Sequence, residues 1–407
     1  MAITNKESGI WSINQVSKKI KEKNIWDYKG GGSLYTSGSN NYGEMGINDV
    51  VDRSSPVQVP GTYTNVSSAG NTRITAAVKT DGTLWSWGRD YGGSSGWNLP
   101  SGTMRSSPVQ IPGFPPSTGW EPIYETGMIG CSILGTSYVD EDGTLFTWGM
   151  NEYGQLGHNN RTDVSSPKQV GAKGIWSQNL AFNDNEMRMC VRQGGQLFTW
   201  GTNGSGQLGH SNRTQYSSPK QVGTGEYWST EIGTISRGGS TSAAVRTDGT
   251  LWTWGMGQGG ELGHNQNDQA NYDSPKQVGG RSNWRYVHCT GSTLMATNTD
   301  GELWTCGWGE YGTLGQNAVV NRSSMVQIPG TTWHRPIDGK KGSAGCTKTD
   351  GSLWVWGRNT EGAFGHNNRT NYSSPIQFGS DTTWNDNPIK QRSSISGQYH
   401  GAWIVED

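Results

Sequence analysis

The chain has 407 residues with 62 Gly and 20 Trp, a glycine share about twice the usual one, and its 32 basic and 33 acidic side chains leave a net charge of −1. That balance argues against a protein that coats nucleic acid or anionic membrane, which calls for a basic excess, and no run of about 18 apolar residues is present to cross a bilayer. Twenty Trp need burial, so the glycine reads as tight turns joining many short strands, and a helical bundle is excluded.

Residues 1–30 form a head distinct from everything that follows. Residues 1–25 are polar and lysine-rich and lack the apolar stretch of a secretory signal. Ser12 and Gln15 make a capping box, with Trp11 and Val16 as its hydrophobic staple. The spacing predicts a short helix over 13–23 with Ile13, Val16 and Ile20 on one stripe among Lys18, Lys19, Lys21 and Lys23. A helix this short is marginal alone, so it must dock, either on the rest of its own chain or on a partner. Trp11, Ile13, Val16, Ile20 and Trp26 are the candidate attachment residues.

Residues 31–407 repeat. Seven segments carry D-G-x-L-x-x-x-G or a near variant: 32–38 (GSLYTSG), 81–88 (DGTLWSWG), 142–149 (DGTLFTWG), 194–201 (GGQLFTWG), 248–255 (DGTLWTWG), 300–307 (DGELWTCG) and 350–357 (DGSLWVWG). Their closing glycines are 50, 61, 52, 54, 52 and 50 residues apart, and a period near 50 marks a propeller or a solenoid. Each unit continues with an element such as YGEMG (42–46), YGQLG (153–157) or SGQLG (205–209), degraded around Tyr91–Gly96. Then comes S-S-P-x-Q-V, from RSSPVQVPG (53–61) to YSSPIQFG (372–379), usually a Trp, and a small-residue strand such as TSAAVRTDG (241–249).

Asp-Gly makes a tight hairpin turn. The L-W-T-W that follows has period two, which puts Trp252 and Trp254 on one sheet face and Leu251 and Thr253 on the other. S-S-P-x-Q-V begins a strand with Pro where a missing N–H is tolerated. Four short strands in about 52 residues make one propeller blade. The expected fold class is therefore all-β: a seven-bladed β-propeller of four-stranded blades over 31–407, with the short helix ahead of it. Fifteen of the 20 Trp fall at repeat positions and read as structural. The chain ends in YHGAWIVED (399–407), a small-residue strand stopped at its Asp, while the first unit begins at Gly32 without one. One repeat is thus split between the termini, and pairing of the N- and C-terminal strands should close the ring and cover its open edge.

D-G-x-L-[WF]-x-W-G, [YS]-G-Q-L-G-H-[NS] and S-S-P-x-Q-[VI] resemble the repeat of the regulator of chromosome condensation family across all seven units. The resemblance implies the propeller fold and leaves function open, since relatives include the exchange factor for Ran, a plant ultraviolet-B receptor and bacterial inhibitors of β-lactamase. The receptor's clustered G-W-R-H-T repeats are approached here only by Asn283-Trp284-Arg285-Tyr286, and no loops matching the exchange factor's specialised ones stand out. The head, with S-G-I-W-S-x-x-Q and a later I-W-D-Y, resembles the openings of virion appendage proteins from marine tailed phages.

The candidate chemistry is sparse. Cys131, Cys190, Cys289, Cys306 and Cys346 are scattered without a C-x-x-C pair and read as small buried residues. His158, His210, His264 and His366 share one repeat position after L-G, so they sit on different blades, cannot share a metal and read as hydrogen-bonded turn residues. N-R-T at 160–162, 212–214 and 368–370 reads as turn asparagine. No catalytic residue, metal site or cofactor site is assigned, and the protein is expected not to be an enzyme. The long second unit offers Tyr91, Trp97, Met104, Phe114 and Trp120 as recognition-loop anchors, or as residues covering their own blade. These features point to a non-enzymatic protein-binding propeller, a phage virion component (tail, fibre or capsid-decorating protein) attached through its head. Its expected partners are virion components or a host surface within a larger particle, with no nucleic acid and no membrane insertion. The alternatives are a cytoplasmic regulator, such as a small-GTPase exchange factor or chromatin-associated propeller, and a sugar-binding propeller.

Overall fold

Glycine and tryptophan set the frame. Each Asp-Gly turn places its glycine at positive φ, as at Gly249 (77°), and the chain then runs as antiparallel hairpins. The computed structural model describes residues 32–406 apart from 69–73, 114–127, 133–134, 141, 182–186, 226, 266–270, 338–341, 361–363, 365, 367, 381, 383 and 385–399. The helix expected over 13–23, the attachment residues Trp11, Ile13, Val16, Ile20 and Trp26, and the loop residues Phe114 and Trp120 lie outside the described residues.

The first sheet holds β1 (Gly32–Gly38), β2 (Arg53–Ser68), β3 (Ile74–Lys79), β4 (Leu84–Arg89) and β5 (Met104–Gln110), with the C-terminal strand β26 (His400–Glu406) paired beside β1. Five four-stranded sheets follow in chain order. They are β6 (Met128–Ser132), β7 (Gly135–Val139), β8 (Leu145–Gly149) and β9 (Val164–Val170); β10 (Trp176–Ala181), β11 (Met187–Arg192), β12 (Leu197–Gly201) and β13 (Tyr216–Gln221); β14 (Ile235–Gly238), β15 (Thr241–Val245), β16 (Leu251–Gly255) and β17 (Tyr272–Gln277); β18 (Trp284–Thr290), β19 (Thr293–Asn298), β20 (Leu303–Gly307) and β21 (Arg322–Ile328); and β22 (Trp333–Ile337), β23 (Ser343–Lys348), β24 (Leu353–Gly357) and β25 (Tyr372–Gln377). The fold is an all-β propeller of four-stranded blades, and a three-residue 3₁₀ turn at Glu310–Gly312 is the helical element among the described residues.

The described strands form six sheets rather than the seven separate blades expected. The cause is β2, a 16-residue strand whose first part pairs with β1 and whose last part, from Tyr63 onward, pairs with β3. Elsewhere the chain leaves the sheet here and returns at a Trp. In β2 it stays in one strand across a bulge at Pro60-Gly61, and Tyr63 takes the place of the Trp, its hydroxyl donating to Pro60 O at 2.8 Å. β1 and β26 pair antiparallel from Gly32↔Glu406 to Gly38↔His400, so the chain's two ends meet in one sheet.

The innermost strands of neighbouring blades pack side by side, the last part of β2 with β6, β10 with β14, β14 with β18 and β18 with β22. The core lies between sheets. Met187, Met189, Val191 and Leu197 of one blade, for example, pack with Trp228, Ile235, Ala244 and Trp254 of the next. At five joints a buried indole donates to the preceding blade's loop: Trp87 to Glu44 O (2.9 Å), Trp148 to Ser94 O (3.1 Å), Trp200 to Gln155 O (3.0 Å), Trp254 to Gln207 O (2.8 Å) and Trp356 to Thr313 O (2.8 Å). The glycine closing that loop is where the indole sits: a Cβ on Gly209 would stand 2.9 Å from Trp254 Nε1.

Candidate protein-docking face

In every blade the segment between the third and fourth strands emerges at the same end of the sheet, so these loops together make one face of the ring. In four of the loops a buried asparagine organises the turn, its place being taken by Asp90 in the second unit and by Gly257 and Gly309 in the fifth and sixth. Asn203 accepts from Leu208 N (2.9 Å) through Oδ1 and donates through Nδ2 to Asn212 O and Thr214 O, both at 2.9 Å. Asn40, Asn151 and Asn359 repeat the arrangement. A few residues on, Asn48, Asn98, Asn159, Ser211, Asn265 and Asn317 hold left-handed backbone, with φ between 53° and 63°, which asparagine tolerates best among residues with a Cβ. From there Asn159 N donates to Ser217 O at 2.7 Å and Asn317 N to Ser373 O at 2.7 Å, each on the next blade. The loops are thus stapled to their own turn and to their neighbour, a stiff support for whatever their tips display.

The four repeat histidines are turn residues. Nε2 of His158, His210 and His264 lies 3.0 Å from the Oγ1 of Thr147, Thr199 and Thr253, and His366 meets Gln377 O at 2.9 Å. Burial, aided by Lys220 and Lys276, lowers His210 and His264 to about 4, and burial beside Lys168 lowers His158 below its usual value. The N-R-T asparagines likewise cap turns: Asn160 and Asn212 accept from the N–H of Thr162 and Thr214. All five cysteines are buried thiols, and burial pushes Cys289 up to about 12, so they pack as small residues. Among the described residues no group of three His, Cys, Asp or Glu is placed to hold a metal.

The loop tips divide into two kinds. Tips 159–162, 211–214 and 367–370 read N-N-R-T or S-N-R-T, whereas the corresponding tips of the first, second and sixth units are apolar. There Val50, Val51, Tyr91, Leu99, Met104, Trp308, Val319 and Val320 are exposed. The first two units sit side by side, since Asn48 N donates to Ser106 O at 2.7 Å and Ser107 Oγ to Asn48 Oδ1 at 3.0 Å. Val50 and Val51 follow the first of these anchors and Met104 precedes the second.

Two of the sequence-derived recognition residues, Tyr91 and Met104, lie in this exposed group. Trp97 does not: it is 5% exposed and fills the slot that histidine occupies in other blades, with Arg105 stacked 5.9 Å from its ring centroid. Asn98 at φ 56° immediately after it, matching Asn159 after His158, is the signal that identifies the slot. Val50, Val51, Val319 and Val320 carry no motif of their own and stand out only when each tip is set against N-R-T, while Trp308 directly follows the closing Gly307, where other units have Met150 or Met256. Trp284, of the N-W-R-Y segment, is buried edge-on to Trp304 at 6.3 Å, while Tyr286 donates to Glu231 at 2.7 Å and Arg285 pairs with Glu231 at 3.3 Å.

The sequence matches the regulator of chromosome condensation (RCC1) repeat model at residues 31–77, 142–178, 194–245, 248–296 and 350–402, more than half of the chain. It is 28% identical over 263 residues to the ultraviolet-B receptor UVR8 of Arabidopsis thaliana, covering 64% of this chain and 56% of the receptor. It is 26% identical over 291 residues to the human E3 ubiquitin-protein ligase HERC2, covering 70% of this chain and 6% of the ligase. The chain therefore spans little more than half of the first relative and a small part of the second. In structure it resembles yeast RCC1 (Prp20), solved bound to Kap60, with a TM-score of 0.76, 18% identity and coverage of 94% of this chain and 92% of that one. The phage likeness of the head gains no support from these plant, human and yeast relatives. The chain belongs to the RCC1 repeat family.

Proposed function

We propose that the protein is a non-catalytic docking propeller of the regulator type, which binds a partner protein through the apolar loop tips of its first and second blades. The observation that carries this is the replacement of polar N-R-T tips by Val50, Val51, Tyr91, Leu99 and Met104 on two adjacent, stapled loops. Large side chains held exposed on a stiff support are what a protein interface needs at its centre. The relatives favour a regulator over a virion appendage: Prp20p of Saccharomyces cerevisiae is described by its binding to Gsp1p and histones. In this proposal residues 31–407 form one ring of seven units, the long β2 serving two blades in turn, with the head outside it. Support comes from the seven D-G-x-L segments and from the separate registers of β2 with β1 and β3.

The test is affinity capture with cross-linking mass spectrometry, comparing the natural chain with Val51→Asp/Met104→Asp and with Arg213→Asp on a polar tip. The proposal expects partners lost from the first variant and kept by the second. Equal capture by all three would refute it. Accelerated nucleotide release from a small GTPase would narrow the regulator to an exchange factor.

A further inference from the structure

The rim of the ring carries two grooves built alike, which reach the loop anchors Asn317 and Ser211 at one end. One, of about 540 Å³, runs between β21 and the next blade and is lined by Arg322, Trp333, Lys348, Trp354 and Pro375 among others. The second, of about 470 Å³, lies two blades earlier, between β13 and its neighbour, with Lys220, Tyr227, Trp228, Arg246 and Pro275. In the repeat, Trp228 answers to Trp333, Arg246 to Lys348 and Pro275 to Pro375. Each lining holds two cations and no carboxylate.

One cation in each groove rides on indole rings. Lys348 Nζ is 3.9 Å from the Trp354 centroid and 4.8 Å from that of Trp333, and the Arg246 guanidinium is 3.8 Å from Trp252 and 5.0 Å from Trp228. Stacking uses the face of a guanidinium and leaves its in-plane N–H groups for an acceptor. Nε of Arg246 is buried with no hydrogen-bond partner. The turn carboxylates Asp248 and Asp350 accept from Thr250 Oγ1 and Ser352 Oγ, each at 2.6 Å, and act on Arg246 and Lys348 through space without a direct hydrogen bond among those described.

The blade between the two grooves shows what such a site accepts. There Asn298 stands at the repeat position of Arg246 and Lys348, the ring-stacked cation is Arg281 from ahead of Trp284, 4.6 Å from the Trp304 centroid, and the chain supplies the anion itself. Glu302 takes hydrogen bonds from Arg281 Nη1 (3.3 Å), Trp304 Nε1 (3.1 Å) and Asn298 Nδ2 (2.7 Å). The two grooved blades have Thr250 and Ser352 at that position, whose hydroxyls accept the indole N–H without bringing charge.

We propose that the two rim grooves bind an acidic, extended segment of a partner protein. Each cation–ring pair takes one Asp or Glu carboxylate, as Glu302 does within the chain, while an apolar neighbour lies against the exposed Tyr227 in one groove or the partly exposed Trp354 in the other. Because the grooves are two blades apart, one long acidic segment could engage both and gain avidity.

Fluorescence anisotropy with a labelled peptide of alternating glutamate and leucine tests this. Arg246→Met/Lys348→Met keeps the side-chain stems on the rings and removes the charges. It is expected to weaken binding about tenfold or more while circular dichroism and melting stay close to the natural chain's. Glu302→Thr, which frees Arg281, is expected to strengthen binding, and Val51→Asp/Met104→Asp to leave it unchanged, which separates this site from the docking face. Binding should also weaken as salt is raised. Equal affinity for the glutamine–leucine peptide, an unaltered affinity in the Met variant, or binding of an RNA oligonucleotide in place of the peptide would overturn the proposal.

Discussion

Three glycines separate the cost of backbone strain from the cost of disturbing a blade joint. Gly209 (φ +75°), Gly223 (φ +70°) and Gly263 (φ +73°) share nearly one backbone conformation, so Ala at each meets the same left-handed strain, about 1 kcal/mol. Their surroundings differ. A Cβ on Gly223 meets nothing within 4 Å. On Gly209 it stands 2.9 Å from Nε1 and 3.2 Å from Cδ1 of Trp254, whose ring is fully buried and bonded to Gln207 O at 2.8 Å. Making room must push the indole, weakening a hydrogen bond worth about 1 kcal/mol and overpacking the joint by a further ~1–3 kcal/mol. On Gly263 the nearest atom is Cys306 Sγ at 3.3 Å, because this joint lacks its Trp. Gly223→Ala should therefore cost about 1 kcal/mol, Gly263→Ala about 1–2 and Gly209→Ala about 3–5. Urea unfolding followed by tryptophan fluorescence gives the order. If Gly209→Ala unfolds at the same midpoint as Gly223→Ala, the indole is not the wedge that locks blade to blade.

Folded-state histidine values near 4, against 6.5 ordinarily, mean that the unfolded chain binds more protons between those limits. Stability should thus fall as pH drops through that window and level off below it, by about 1 kcal/mol per ring after solvent screening. Melting temperatures at pH 7 and 4.5 measure this. His158→Gln/His210→Gln/His264→Gln should flatten the difference, because Gln316 already makes the same bond to Thr305 Oγ1 at 2.9 Å. Deleting 400–407 removes the strand paired along all of β1 and should lower the melting temperature and cause self-association on size exclusion; unchanged behaviour would refute closure by β26. Cys306→Trp and Met325→Pro should each destabilise alone and offset one another together, and simple additivity in a double-mutant cycle would show the two sites to be independent.

What could be read from the sequence was whatever the repeat states seven times. Strand phase follows from L-W-T-W, turns from Asp-Gly, and the histidine bonds from their fixed place after L-G. Departures from the repeat were harder to read. Pro60-Gly61 looks like a break in a strand, yet β2 runs through it, because Tyr63 anchors to Pro60 O where other blades insert a Trp. Trp97 resembled a free loop aromatic because G-G-S-S-G hides the G-Q-L-G pattern that assigns it to a buried slot. The rim grooves were illegible for a different reason: each joins residues of two blades, and the two grooves, about 100 positions apart in the chain, are one repeat site whose charge also depends on Thr250, Glu302 or Ser352 after each Asp-Gly.

The Cys306 joint shows how such departures come in compensating sets. Cysteine there removes an indole, and Met325 replaces the Pro that opens the fourth strand in the other units. Both now line the space beside Gly263, at 3.3 Å and 3.4 Å from where its Cβ would be, so the lost ring volume is refilled by a thioether. The isolated bridge His264↔Ser324 also forms at this joint. The joint has exchanged an indole wedge for a methionine and a backbone bridge. Neither change makes sense alone, and that pairing distinguishes structural drift within the repeat from the loop tips of the first two units. There Val51 and Met104 face solvent, which is the pattern expected of side chains whose counterpart belongs to another molecule.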